Sequence, residues 1–345
     1  MNKIILSFDY EIYFDGSNRL DDLIENTNKI LILAKKSNSK LVFFIDIYYL
    51  IKLEENGLNK HFDKLKIQIS EMILNGHEIQ YHLHPHWINA QYNKEKDFWK
   101  YNQLEYSFTD IINIYGKPFA FDKFNKGVSK IKEWFNYSPL AYRAGGLSID
   151  QNQEELIELL IENNLQFDSS VMPGLYLHGK FIHIDHRSAP RKAIWSVENT
   201  FLSESKSSNI RTSIIEVPVM TINRYDFPLT DRIITSIKYR TMAALSAKDD
   251  SQLDEIGRPF DLEINQSIYP ISITFDKSKL ADVLLLKYFT KSYFKKNDNL
   301  MCILSHPKSF LNQSFEVFNT YLKWVDRNKS KYCFSGFSDI LNSEK

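Results

Sequence analysis

Short apolar runs alternate with amphipathic stretches along most of the chain. Ile4, Ile5 and Leu6 open a run that ends at Asp9, and Leu41–Ile47 (LVFFIDI) is apolar almost throughout, as in a parallel strand buried on both faces. Between them, Leu20–Lys36 spaces Leu23, Ile24, Ile30, Leu31 and Leu33 as a helix would. Leu65–Leu74 predicts a second helix, closed by Asn75-Gly76. The strand that follows must end at Pro85, which cannot donate to a ladder. Ile111–Tyr115 and Val128–Phe135 read as helical or mixed, Pro139–Arg143 as a strand, Asn152–Asn163 as a helix and Leu165–Asp168 as a short strand. After an irregular stretch from Gly174 to Ser208, strands are expected at Ile214–Val219, Leu300–Ser305 and Tyr332–Phe334. Helices are expected at Lys277–Tyr293 and Phe315–Arg327.

This alternation of strand and helix predicts a closed or nearly closed parallel barrel, with a doubly wound open sheet as the alternative. The chain reads as one domain over residues 1–345, with the polar stretch Thr221–Thr274 as an insertion or cap. A barrel requires chemistry at the C-terminal ends of many strands. Asp9, Asp46, His82, Arg143, Asp168 and His306 all fall at or near such ends.

Four of the nine histidines, His77, His82, His84 and His86, lie in Gly76–Trp87 (GHEIQYHLHPHW). Neutral imidazole is a common metal ligand, and packing alone does not explain such clustering. His82 sits at the strand's end and His86 lies beyond the turn at Pro85, so that the two rings can swing to one point. His84, between them, is expected to point away, and His77 to be structural. Asp46 is expected as a turn cap or a further ligand, and Trp87 as either a sugar platform or a packed indole. Asp9 and Glu11, two apart on one strand face, are costly to bury without a cation. Two imidazoles, a carboxylate and an open position form the ligand set of a catalytic zinc-type site.

Composition narrows the alternatives. Lys+Arg 43 balance Asp+Glu 43, which gives no electrostatic case for nucleic acid binding. Cys302 and Cys333 cannot form a disulfide framework and fit a reducing compartment. With no signal-like segment and no apolar run near a membrane span, a soluble cytoplasmic protein is expected.

Five stretches in order carry a family resemblance: Ser7-Phe8-Asp9-Tyr10-Glu11, Gly76-His77-Glu78-Ile79 with His82–His86, Tyr142-Arg143-Ala144-Gly145, Phe167-Asp168-Ser169-Ser170, and Leu304-Ser305-His306-Pro307. Together they resemble the motifs of the polysaccharide deacetylase superfamily (carbohydrate esterase family 4). The acid pair is split here by Tyr10, and Arg143 is followed by Ala-Gly-Gly where the family often has proline and an aromatic residue.

The resemblance implies a distorted (β/α)7-type barrel and one divalent metal, with Zn2+ the expected ion, held by Glu11, His82 and His86. It implies Asp9 as general base (with metal ligation as its alternative role) and Arg143 as the partner that keeps Asp9 ionised. His306 becomes the general acid, oriented by Asp168. The implied activity is removal of N-acetyl groups from an amino sugar or glycan precursor in surface polysaccharide biosynthesis. A cyclic-amide hydrolase of the same superfamily, or a non-catalytic carbohydrate-binding protein, are the alternatives. No role is assigned to His178, His183 or His186.

Overall fold

The computed structural model describes residues 1–17, 19–149, 153–205, 214–222, 264–296 and 299–342. The first strand, β1 (Asn2–Tyr10), lies at the centre of the architecture and is followed by helix α1 (Asp21–Lys36). Strand β2 (Val42–Asp46) runs without a loop into α2 (Ile47–Glu55), which is followed by α3 (Asn59–Leu74) and β3 (Glu78–Leu83). A small hairpin of β4 (Gln91–Asn93) and β5 (Phe98–Lys100) precedes α4 (Phe108–Tyr115) and α5 (Lys117–Phe135). Then come β6 (Ala141–Ala144), α6 (Gln153–Glu162) and β7 (Phe167–Asp168).

The stretch expected to be irregular contains three strands instead: β8 (Tyr176–Gly179), β9 (His183–Asp185) and β10 (Trp195–Val197). Next are β11 (Ile214–Glu216), β12 (Thr221–Ile222), β13 (Ile264–Ile268) and β14 (Ile271–Ser272). A helix at Asp282–Tyr293, β15 (Leu300–Ser305), a helix at Asn312–Arg327, β16 (Tyr332–Phe334) and a short helix at Phe337–Leu341 complete the described chain.

The main sheet runs β10-β11-β7-β6-β3-β2-β1-β15, with β16 pairing to the start of β1. All of its pairings are parallel except β10 with β11. A single parallel bridge between Val219 and Cys302 links the segment after β11 to β15, so the sheet curls toward closure. The fold is thus a mixed α/β domain on a curled parallel sheet. Strand–helix alternation stops after β7, because the described part of the connection to β11 contains β8, β9 and β10 and no helix. Most of the expected insertion at 221–274 lies outside the described residues. Of its described parts, Thr221–Ile222 pairs with Ile271–Ser272, and β13 pairs with β8.

Side chains alternate across each strand, and the inner set defines what the sheet encloses. Ile5, Val42, Phe44, Ala141, Phe167, Ile215 and Cys302 form one buried cluster, which Phe337 closes at the N-terminal end of the strands. Glu78 fixes that plug by accepting the Phe337 and Ser338 N–H groups at 2.8 and 3.1 Å. Along the same face toward the C-terminal ends, apolar residues give way to Asp9, Asp46, His82 and Arg143, all buried. A larger cluster on the outer face packs under α1, α3, α5 and the Asn312–Arg327 helix.

Candidate metal centre and its surroundings

His82 is the last but one residue of β3, in register with Asp46 on β2 and Arg143 on β6. Its Nδ1 lies 2.8 Å from the Arg143 carbonyl oxygen, which can only accept, so Nδ1 carries the proton and Nε2 faces inward. That Nε2 is 3.1 Å from Glu11 Oε2, and the same oxygen is 2.6 Å from His84 Nε2. Donor atoms of Glu11, His82 and His84 all lie within 4.8 Å of one another, a grouping that could hold a metal ion.

The expected pair was His82 with His86, and the structure pairs His82 with His84 instead. The reason is local: His84 keeps extended dihedrals (φ −96°, ψ 106°), so residues 82 and 84 share one strand face. The 3₁₀ turn Pro85–Trp87 then carries His86 away, to pack against Phe14 and Tyr101 at ring distances of 4.7 and 4.9 Å. Gly145 leaves room for the His84 ring, since a Cβ there would stand 2.5 Å from its Cγ and Nδ1.

Electrostatics suit a cation. Burial holds the His84 imidazole neutral, lowered to about 4. Burial also works against a charge on His82, but Asp9 and Glu11 outweigh it and raise that group. Burial would raise Glu11 too, yet Lys308 and His84 hold it well below the carboxylate range. Lys308 Nζ bonds Glu11 Oε1 and the Ile12 carbonyl, both at 2.8 Å, which leaves Oε2 to the histidines. A divalent ion would meet one ionised carboxylate oxygen and two imidazole lone pairs, the donor chemistry zinc accepts.

Asp9 lies beside this group, with Oδ2 3.8 Å from His82 Nε2 and 3.7 Å from His306 Nε2. Arg143 Nη1 donates to Asp9 Oδ1 at 2.6 Å. The fully buried guanidinium is also held by the Ser169 carbonyl at 2.9 Å, by Ser7 Oγ at 3.0 Å and by the Phe44 ring at 3.9 Å. Burial would strip its charge, but Asp9 reverses this and raises it.

His306 directs Nε2 toward Asp9 and Glu11, 3.7 Å from an oxygen of each. Its orienting acid is Asp276, not the expected Asp168. Asp276 Oδ2 accepts from His306 Nδ1 at 2.6 Å and its Oδ1 accepts the His306 N–H at 2.7 Å. Burial alone would lower His306, but Asp276, then Glu11 and Asp9, raise it to about 9.

Asp168 instead spends both oxygens on Ser170, accepting from its N–H and its hydroxyl at 2.9 and 2.8 Å, and Ser170 Oγ in turn accepts the Ala144 N–H. Its register neighbour Glu216 is also fully buried, and burial pushes both acids up. Two buried acids in register resist ionising together, and the Ser170 bonds tie the end of β7 to the end of β6.

Asp46 is neither cap nor close ligand. It makes no side-chain cap bond, neither oxygen has a hydrogen-bond partner among the described residues, and burial raises it to about 8. Trp87 is fully buried against Tyr49, Trp99 and Tyr101, a packed indole with no exposed platform. A pocket of about 360 Å³ opens onto Asp9, Glu11, His84 and His306.

No protein-family model and no curated protein sequence matches the chain. Solved structures do. A putative polysaccharide deacetylase from Mycobacterium smegmatis aligns with a TM-score of 0.51 at 12% identity, over 99% of this chain and 90% of that one. A 4-alpha-glucanotransferase from Thermococcus litoralis aligns with a TM-score of 0.52 at 9% identity, over 99% of this chain but 40% of its own. A probable polysaccharide deacetylase from Pseudomonas aeruginosa PAO1 gives 0.46 at 11% identity, over 98% and 89%. The chain is therefore built on a fold shared with the Mycobacterium smegmatis protein and with part of the glucanotransferase, a likeness of architecture alone at this identity.

Proposed function

We propose that the protein is a metal-dependent hydrolase that cleaves the N-acyl amide of an amino sugar, in its simplest form an N-acetyl group on a glycan precursor for surface polysaccharide. One observation carries the reading. The Glu11, His82 and His84 donors meet beside two separately supported groups, Asp9 with Arg143 and His306 with Asp276. The shared fold agrees with it.

Glu11, His82 and His84 would hold one divalent ion, with Zn2+ the ion that matches the donor set. Bound there, it would supply Lewis acidity and lower the pKa of water at the site. Asp9, held in place by the Arg143 guanidinium, takes a proton from the attacking water as its oxygen bonds to the carbonyl carbon. His306 holds its proton on Nε2 across from Asp9, and Asp276 fixes the ring through Nδ1. When the C–N bond breaks, the electron pair goes to nitrogen and the His306 proton follows it, since an amide anion is too poor a leaving group. The products are a carboxylate and a free amine.

The test is release of acetate from N-acetylglucosamine, its oligomers and nucleotide-linked N-acetyl sugars by the Zn2+-loaded protein. Turnover that EDTA abolishes and Zn2+ restores is the expected result. Full turnover in EDTA, or none with any acylated amino sugar, would overturn the proposal.

A further inference from the structure

We infer that the pocket takes an acyl group longer than acetyl, so that the preferred substrate is an amino sugar bearing a short fatty-acyl amide. The inference rests on the hydrolase reading above and specifies the acid that is released.

Beyond the acids and imidazoles, and apart from the hydroxyls of Tyr106 and Tyr269, the described wall of the cavity is apolar. Leu147, Met172, Leu175, Leu177 and Leu304 line it, with Tyr106 alongside. Three of these, Leu147, Leu175 and Leu177, belong with Val219 to a compact buried cluster, against which Tyr106, Met172 and Leu304 pack. Among the described residues, the acids and imidazoles in the lining are Asp9, Glu11, His84, His86 and His306, and no amide, lysine or arginine side chain joins them. A sugar ring carries hydroxyls that need partners, and burying them unpaired is costly. An alkyl chain needs none and gains from the burial. The cavity's 360 Å³ falls within the range of small-molecule sites, so an acetyl methyl leaves most of it unfilled.

Two local features show that this wall is built. Gly146 and Leu147 both take left-handed backbone conformations, at φ 60° and 56°. That turn costs a leucine energy and points to an imposed role at a site. A Cβ on Gly146 would stand 2.3 Å from the Tyr106 hydroxyl, so the absent side chain admits the tyrosine to the wall. They lie three and four residues after Arg143, Gly146 ending the Ala-Gly-Gly stretch that replaces proline and an aromatic residue, and Leu147 following it. Leu175 and Leu177 come from the start of the β8–β9 hairpin, which occupies the place of a crossover helix. Tyr269, which is 65% exposed, marks the rim of the same cavity. The sugar is then left at the mouth and the acyl chain runs inward.

The experiment compares N-acetyl- and N-hexanoyl-glucosamine as substrates of the Zn2+-loaded full chain. In parallel, acetate and hexanoate are titrated by calorimetry as product ligands. The expected result is a kcat/KM for the hexanoyl amide higher by about tenfold or more, as extra methylenes in an apolar pocket provide, and tighter binding of hexanoate than of acetate. In Met172→Trp, whose indole fills the cavity, both preferences collapse toward unity. An acetyl amide cleaved as well as or better than the hexanoyl one overturns the long-acyl inference and leaves the hydrolase reading standing. If neither amide is cleaved, the hydrolase reading fails, and equal binding of the two carboxylates then overturns the pocket inference as well.

Discussion

Gly145 and His84 show how closely the site depends on single atoms. The glycine is there for space, since a methyl group would collide with the imidazole and with the Leu83 carbonyl oxygen at 2.7 Å. Gly145→Ala is expected to weaken Zn2+ binding by about tenfold or more, as loss of a ligand's support does, measured by competition with a chromophoric chelator. Unchanged affinity would contradict the assignment of His84. Asp276→Asn is expected to lower kcat by about 10²-fold while KM changes little, because Asp276 orients the His306 ring without lining the described cavity. A matching fall in stability with no loss of kcat would make it a structural acid only. The histidine cluster and the acid pair were legible in the sequence, but the choice between His84 and His86 turned on whether extended backbone reached residue 84. Asp276 follows the short alternating run Ile271–Phe275, a weak signal at the end of a mostly polar stretch, and only folding brings it against His306.

At the scale of strands and helices, the apolar runs located most of the main sheet correctly. They failed where periodicity is ambiguous. Ile47–Glu55 is helical directly after β2, and IYYLIKL gives the same apolar signal to either element. The short strands β8 to β10 were hidden among proline, glycine and serine, which read as loop.

The element that ties the interior of the curled sheet together is β6. Arg143 reaches from it to β1 through Asp9 and Ser7, and to the end of β7 through Ser169. Arg143→Met leaves the Asp9 carboxylate buried without its cation and is expected to cost about 3–5 kcal/mol in urea unfolding. A loss under 1 kcal/mol would show that the ion pair is not structurally coupled to the fold.

Two histidines outside the donor group contribute to the acid limit of stability. His77 Nδ1 accepts the Leu41 N–H at 3.2 Å and His186 Nδ1 accepts the Met172 N–H at 3.1 Å. Burial lowers both imidazoles to about 4, below the unfolded value near 6.5. Between those values the unfolded chain binds more protons, so this stability is complete above pH 6.5 and is lost as pH falls toward 4. Urea midpoints measured from pH 7.5 to 4.5 should fall across that window, and His186→Leu should flatten the slope. An equal slope in wild type and variant would contradict the assignment.

For the whole molecule, an ion bound at the proposed centre would be linked to the fold. Elements far apart in sequence, β1, β3 and the His306 turn, meet at one end of the curled sheet. A ligand held by Glu11, His82 and His84 favours the folded state over the unfolded one. Zn2+ at a hundred times its Kd is expected to add about 2.7 kcal/mol, seen as a rise in Tm that EDTA reverses. No helix among the described residues is long and apolar enough to cross a membrane. The parallel-sheet architecture was readable from the strand–helix alternation, whereas its departure from regular alternation after β7 was not. The most direct test of the central claim is an anomalous difference map at the zinc absorption edge from crystals grown with Zn2+. The account predicts one peak within bonding distance of Glu11 Oε2, His82 Nε2 and His84 Nε2. A peak on His86 that excludes His84, or no peak beside Glu11, would contradict it.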